Sequence, residues 1–533
     1  MTKPINHINL PIIMSTEKIK VIYESAVVNL AHDTIKKSKQ ALVFVNTKSS
    51  AEKTAEEIAK TIEKSLPEHE ELSDKALNTL ANPTEQCIRL SKCLKKGIAF
   101  HHAGLLSKQK ELIEESFKKG AIKIICATPT LAAGLDLPAF RTIIRDVKRY
   151  GHRGLAYIPV LEYLQMAGRA GRPKYDKFGE SIIVAASESD AEKLKDRYIK
   201  GEPEEIYSKL AVEPVLRTYL LSLIASEFIN SKKDINAFFQ KTFWAYQFGD
   251  MEHLEHIINS MLDLLEEWEF IKSSSAEFFI SAEDLDKEDR YEAAPIGKRV
   301  AELYIDPLTA HDMMECLKKH TIKSIKEFSF LQMVSHTLEM RPLLKVKVKE
   351  YEDIQEILVT YHDSILEDEP SMYDPEYEDF ISSVKTASFF NEWIQERTEQ
   401  ELLEKYSIRP GEIRIKLGTA DWLLYATEEL ARMMHYQSLL SEIRKLRIRV
   451  DYGVKEELLP LMKLKGVGRV RARKMFNNKI KDIGDVKKVD ITLLSQILGK
   501  KIAVDIKNQV GENIKESPAE KPSKKKSTIH DYI

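Results

Sequence analysis

Three short apolar runs constrain this chain more than any other feature, because each ends in polar or glycine-bearing residues. They are Gln40-Ala41-Leu42-Val43-Phe44-Val45-Asn46-Thr47, Gly97-Ile98-Ala99-Phe100-His101-His102 and Ile122-Lys123-Ile124-Ile125-Cys126-Ala127. A run of this length without apolar–polar alternation suits a buried strand covered on both faces. Residues Ser49 to Lys64 follow the first run and carry Ala51, Ala55, Ile58, Ala59 and Ile62 on one helical face. One such strand–helix unit predicts an α/β sheet. Helices are also expected over Ile19–Lys37 and after a Ser107 cap, and strands over Ile143–Val147, Tyr157–Val160 and Ser181–Ala185.

Ligands of an open parallel sheet gather at the carboxyl ends of its strands. The polar ends after Val45, Phe100 and Ala127 are therefore expected on one rim, together with the stretch Gln165-Met166-Ala167-Gly168-Arg169-Ala170-Gly171-Arg172-Pro173. Its two arginines sit three residues apart with a glycine before each. A guanidinium is a rigid, permanently charged fork suited to phosphate oxygens. The plainer alternatives are a surface loop with solvated arginines, and a His101-His102 strand end turned to water. Between these stretches, two extended runs in Arg141–Leu161 flank Tyr150-Gly151-His152-Arg153-Gly154, which reads as a β-hairpin with a glycine-bracketed tip.

The chain has 533 residues, more than one core accommodates; at ~150 residues per domain it holds about three or four. Its net charge of −2 gives no global field toward nucleic acid, so any such binding rests on local patches. The four cysteines include no CxxC pair, which excludes a zinc knuckle and a disulfide framework. With no signal peptide, sparse cysteines point to a reducing cytoplasm. No apolar run approaches the ~20 residues of a membrane span.

Beyond residue 200 the character becomes helical. Leu216–Phe228, Asp234–Thr242 and His253–Trp268 have helical period, and Phe270–Lys272 with Phe278–Ile280 suit the strands of a wing. Asp312–Gln437 is helix-rich, with a carboxylate-bearing solvated face over Glu350–Asp379. Pro410 suits a helix start. Arg414, Gly418 and Trp422 then recur every fourth residue on one face. Such a face can grip a phosphate and stack a base, or simply bury its indole in a bundle. Gly466-Val467-Gly468 between two helical stretches reads as a helix-hairpin-helix turn, whose backbone N–H groups hold a phosphate. Lys463, Lys465, Arg469, Arg471, Arg473 and Lys474 surround it as a basic patch; a protein-binding version is the other reading. Residues from Val510 to Lys526 are rich in Glu, Lys, Pro and Ser and read as disordered.

Leu42–Asn46, Phe100–Leu105, Ala127–Pro138 and Gln165–Pro173 resemble the successive motifs of the second RecA-like domain of superfamily-two helicases, in the wording of the superkiller-like branch. The Pro410–Trp422 helix and the Gly468–Arg473 string are similar to those of the archaeal Hjm-type repair helicases. The resemblance implies a multidomain α/β and α protein. Its parts are a RecA-like parallel α/β domain (1–200), a winged helix (201–305), a helical ratchet bundle (306–450), a helix-hairpin-helix domain (451–510) and a disordered tail (511–533). It implies that Thr128 and His102 touch a tracking DNA strand, and that Gly134 and Asp136 couple nucleic acid to ATP. Many relatives carry Asn where Asp136 stands. Gln165, Arg169 and Arg172 would face the nucleotide. Tyr150, His152 and Arg153 would form a wedge at the duplex junction. Trp422 with Arg414 or Lys416 would hold the translocating strand. Gly466, Gly468, Arg469, Arg471 and Arg473 would brush the emerging strand. Ser527–Ile533 weakly resembles a sliding-clamp peptide through Ile529, Tyr532 and Ile533, although Lys526 replaces the usual Gln.

No GxxxxGK[ST] loop and no Asp-Glu-x-His or Asp-Glu-x-Asp quartet occurs in the sequence. The loop that cradles β- and γ-phosphates and the carboxylates that hold Mg²⁺ are thus absent. The expectation is the C-terminal part of a 3′-to-5′ ATP-dependent DNA helicase of stalled-fork repair. It would need a partner chain whose first lobe supplies most contacts to ATP and Mg²⁺. A non-catalytic DNA-binding remnant is the alternative. An RNA helicase of the same branch is a third reading, against which the helix-hairpin-helix argues.

Overall fold

The computed structural model describes residues 17–63, 65–132, 137–151, 154–172, 176–210, 212–273, 290–323 and 325–511. They form two compact units. The first holds the described residues up to Ile206 together with Leu403–Arg414; the second holds Tyr207–Leu402 and those from Ile415 onward.

The first unit is built on a five-stranded sheet of order β2-β3-β1-β4-β7, parallel throughout. Its strands are β1 (Ala41–Phe44), β2 (Ile98–His101), β3 (Ile124–Ala127), β4 (Arg141–Ile144) and β7 (Glu180–Ile183). A separate hairpin pairs β5 (Lys148–Gly151) with β6 (Gly154–Tyr157). Its helices are α1 (Ala26–Lys36), α2 (Lys48–Lys60), α3 (Pro67–Leu77), α4 (Glu85–Leu94), α5 (Ser107–Lys118), α6 (Val160–Ala167) and α7 (Glu188–Leu194). Strands β1 to β4 are buried at every position, as the apolar runs of β1 to β3 require; β4 opens on the buried polar pair Arg141 and Thr142.

Local chemistry moves several expected boundaries. Helix α1 starts only at Ala26, because Asn29 Oδ1 accepts from the backbone of Ile22 and Tyr23 and holds them out of the helix. Thr47 caps α2 through Ser50 N. Ser107 is the first residue of α5 rather than its cap; Gln109 Oε1 accepts from Leu106 N instead. Tyr157–Val160 is not a sheet strand: Tyr157 ends the hairpin and Val160 opens α6. Helices α3 and α4 were not anticipated.

The second unit opens with α8 (Glu213–Ala225), α9 (Lys232–Phe239), α10 (Phe243–Phe248), α11 (Met251–Glu267) and α12 (Pro295–Leu303). Within this group β8 (Ile271–Ser273) pairs antiparallel with β9 (Tyr291–Ala293). The expected second wing strand, Phe278–Ile280, lies outside the described residues, and β9 is the partner observed. A helical bundle follows: α13 (Pro307–Lys318), α14 (Glu327–Ser335), α15 (Tyr351–Tyr361), α16 (Tyr377–Ile394), α17 (Glu399–Tyr406), α18 (Pro410–Met433) and α19 (Gln437–Tyr452). Helix α16 is buried over most of its length, and Trp393 Nε1 donates to Val450 O at 2.7 Å. The last group is α20 (Leu459–Met462), α21 (Arg469–Asn477), α22 (Ile483–Lys488), α23 (Ile491–Leu498) and α24 (Lys500–Gln509). Its own core includes Leu461, Val467, Met475, Leu494 and Ile506. Among the described residues no helix is long and apolar enough to cross a membrane.

Candidate functional site

The arginine loop does not share a rim with the polar strand ends, contrary to the sequence-based expectation. Ala170 bridges Ala139, just before β4; Gly171 N donates to Ala139 O; and Arg172 reaches Gln40, just before β1. All of these lie at the amino ends of the strands. The reason is topological. Helix α6 returns the chain from the carboxyl edge, so the loop from α6 into β7 must fall on the amino edge.

The loop is firmly held there. Gly171 has φ +95°, and a Cβ on Gly179 would lie 2.2 Å from Gly171 N, so the two segments pack backbone to backbone. Arg169, half-buried, donates from Nε and Nη2 to Ala132 O. Arg172, 18% exposed, donates from Nε to Asp176 Oδ2 (2.7 Å) and from Nη1 to Gln40 Oε1 (2.7 Å). Burial alone would raise the Asp176 carboxyl; the hydrogen bonds and charges of Arg172 and Lys39 overcome it and hold it below the usual carboxylate range. Gln165 is exposed on the last turn of α6. Gly134 and Asp136 lie outside the described residues.

The carboxyl rim is of a different kind. A cavity of about 730 Å³ opens there, lined by Asn46, Thr47, Ser50, Arg145, Lys148, Tyr150 and Leu155 among others. The Arg145 fork is fixed by Asp146 (2.7 Å and 2.9 Å) and Thr54 Oγ1 (2.7 Å). The hairpin rises beside the cavity, with Tyr150 opposite Leu155 in register. These two are 84% and 57% exposed, an apolar pair presented near the tip. His152 and Arg153 lie outside the described residues. Thr128 follows β3 and is 8% exposed, its hydroxyl 2.9 Å from that of Thr130.

His102 corrects another expectation. It is 0% exposed and cannot meet a strand. Its Nδ1 accepts from Gly104 N (3.1 Å), and its Nε2 lies 3.2 Å from Glu52 Oε1. The ring therefore shapes the Ala103–Leu105 turn. Burial, the largest influence, depresses the imidazole pKa below its usual value. Burial would push the Glu52 carboxyl up; hydrogen bonds and charge from His102 and Arg409 overcome this and hold it at about 2. Arg409 belongs to the short stretch that leads into α18. There Gly411 N donates to Gly104 O (3.0 Å), and a Cβ on Gly411 would lie 2.3 Å from Leu105 O. The first turn of α18 is thus fused to this turn of the sheet domain. Glu52, Arg409 and Gly411 were not singled out from the sequence; Lys48–Glu412 reinforces the same seam.

Along α18, Arg414 and Gly418 are exposed and Trp422 is half-buried. The indole N–H of Trp422 donates to Leu303 O at 2.9 Å, so the ring is docked rather than freely projecting. Lys416 donates to the carbonyls of Met340 and Pro342, so its ammonium is turned toward the backbone of the bundle. In the last group Gly466 has φ +81° and Gly468 caps α21, the turn expected of a helix-hairpin-helix. The basic patch around it is smaller than expected. Arg473 is paired with Glu396 (2.6 Å) and Glu457 (2.7 Å), and Arg469 lies over the Trp393 ring at 5.0 Å. Lys463, Lys465, Arg471 and Lys474 are the exposed members. The acids that divert Arg473 are remote from or upstream of the motif, so the local pattern could not reveal them.

Comparison with known proteins agrees with this arrangement. Residues 73–174 match the family described as helicase conserved C-terminal domain, 179–272 a helix-turn-helix domain, and 328–453 archaeal helicase, domain 4. The chain is 39% identical over 512 residues to the ATP-dependent DNA helicase Hel308 of Pyrococcus horikoshii, covering 95% of this chain and 68% of that protein. It is 38% identical over 502 residues to the protein of the same name from Methanocella arvoryzae, covering 92% and 65%. With that of Methanococcus vannielii the identity is 36% over 525 residues, covering 92% and 68%. It thus spans about two thirds of the length of these relatives. Agreement over nearly all of its own length, at this identity, places the chain in the Hel308 family of archaeal DNA helicases.

Proposed function

We propose that these 533 residues form the second motor lobe and the DNA-holding modules of an ATP-dependent DNA helicase that moves 3′-to-5′ and acts in repair at stalled forks. A first lobe, carrying the phosphate cradle and the Mg²⁺ carboxylates, completes the ATP site. Arg169 and Arg172 face that site and neutralise charge that builds on the transferred phosphoryl group. Gln165 helps to orient the nucleotide, and Gly134 and Asp136 link the nucleotide to the strand. Thr128 and the exposed hairpin pair Tyr150 and Leu155, with His152 and Arg153, engage the strand and the junction. Arg414 with Trp422, and the Gly466–Gly468 turn with Arg471, hold the strand further along. Ser527–Ile533 is a candidate clamp-binding tail; it too lies outside the described residues.

One observation carries this reading: the arginine loop is pinned at the amino rim, while the groups suited to a strand lie at the carboxyl rim. Nucleotide and DNA then meet opposite edges of one sheet, and a lobe that closes on ATP shifts the strand. The test supplies the chain with the part of the Pyrococcus horikoshii relative that it does not span. DNA-stimulated ATP hydrolysis is expected, and Arg172→Ala should lower it by about 10³-fold or more while DNA affinity stays within about twofold. Hydrolysis indifferent to Arg172→Ala would instead support a DNA-binding protein without catalysis.

A further inference from the structure

We infer that Gln40 and Asp176 are positioning residues for Arg172, setting the one orientation in which its guanidinium meets the nucleotide. This rests on the reading of Arg172 given above and adds two residues to it.

Gln40 is buried, and its orientation is fixed before Arg172 is considered. Its Nε2 donates to Phe117 O and to Ile122 O, both at 2.7 Å. An amide with both donors spent on backbone carbonyls must turn its oxygen the other way. There Oε1 accepts from Arg172 Nη1 at 2.7 Å. Asp176 approaches the Nε–Nη2 edge of the same guanidinium, at 2.7 Å and 3.3 Å, with its side chain only 1% exposed. Lys39 donates to Asp176 Oδ1 at 2.6 Å and keeps that carboxylate in place. The backbone joins in, since Asp176 N donates to Arg172 O at 2.8 Å.

Among the described residues the guanidinium meets two acceptors on different elements, one just before β1 and one on the chain entering β7. A surface arginine would lose rotamer freedom each time it met a phosphate. Clamped in advance, it meets developing charge without reorganisation, which is the condition for electrostatic catalysis. Asp176 shares the helical spacing of an i, i+4 pair with Arg172 and could also serve as plain bracing. The experiment is chosen to separate these roles.

The full chain, supplied with the part of the Pyrococcus horikoshii relative that it does not span, is assayed as Gln40→Leu, Asp176→Asn, Arg172→Ala and Arg172→Ala/Asp176→Asn, well below the melting temperature of each. Both positioning variants should lower kcat about tenfold with KM for ATP and DNA affinity unchanged, a misplacement effect. The double variant should be no slower than Arg172→Ala alone, because Asp176 acts only through that side chain. Additive loss, or kcat unchanged in both single variants while Arg172→Ala is inactive, overturns the inference and leaves the nucleotide reading standing. Activity retained in Arg172→Ala removes that reading and this inference with it. A second measurement needs no added lobe: exchange of the Arg172 Nε–H with solvent, followed by NMR on arginine-labelled full chain. It should be at least about tenfold faster in Asp176→Asn. An unchanged rate overturns the clamp.

Discussion

The two edges of the parallel sheet differ in how their charges are used. At the amino rim, cations are tied to fixed partners, most of them far away in sequence. Arg141 is fully buried, with Asp33 at 2.8 Å, Thr34 Oγ1 at 2.8 Å and Glu180 on its remaining edge, and Arg172 sits in the Gln40–Asp176–Lys39 cluster. At the carboxyl rim, a hairpin presents uncovered Tyr150 and Leu155 beside an open cavity. The difference fits the two tasks proposed for these edges. A group that acts once per cycle on a phosphoryl charge gains from being fixed. Groups that let a strand slide gain from exposed, exchangeable contacts, so they contribute little to the fold.

That contrast can be broken by mutation, beginning with stability. Arg141→Ala removes the partner of two carboxylates and should destabilise the first unit by about 3–5 kcal/mol in denaturant titrations. A loss below about 1 kcal/mol would mean that the amino rim is not the rigid edge described. Next comes pH. Glu52 has its carboxyl held at about 2 against an ordinary 4.5, so the folded state favours the ionised form. Its contribution is complete above about pH 5 and is lost as pH falls through 4.5 toward 2. The loss should be of order 3 kcal/mol. Glu52→Gln should flatten that part of the acid-denaturation curve, and an unchanged curve would place the acid sensitivity elsewhere.

Smaller effects are expected at the exposed hairpin of the carboxyl rim and beyond it. Tyr150→Ala and Leu155→Ala should leave stability within about 0.5 kcal/mol. In the lobe-supplied protein they should cut duplex unwinding about tenfold while sparing ATP hydrolysis. Equal loss of both activities would put the pair in the motor instead. Arg471→Ala should reduce the salt dependence of DNA binding by about one unit of log–log slope, uniformly across sequences. Arg473→Ala, whose cation is already paired with Glu396 and Glu457, should change that slope much less.

Much of the first unit was legible because its strands are uninterrupted apolar runs: β1, β2 and β3 fall within the expected stretches. Helices α3 and α4 were missed although Pro67 at a first turn and the Thr84 cap signal them. The carboxyl-end rule points the arginine loop to the wrong edge, because the return of α6 across the sheet leaves no local mark in the sequence. Motif position alone points His102, Arg469 and Arg473 at a strand. Their partners Glu52, Trp393, Glu396 and Glu457 lie upstream and mostly far away, and long-range pairing leaves no periodic trace. The Gly466–Gly468 turn, by contrast, is legible because its conformation is set by adjacent residues.

The proposed function has this chain bring trans-acting arginines and a DNA track, and no stretch of its 533 residues has the wording of a phosphate-cradling loop. Its most direct test is steady-state hydrolysis of Mg²⁺–ATP by the purified chain alone, saturated with single-stranded DNA. The account predicts DNA binding with no turnover above a protein-free blank. Robust DNA-stimulated turnover that vanishes in Arg172→Ala, with no other polypeptide present, would contradict it.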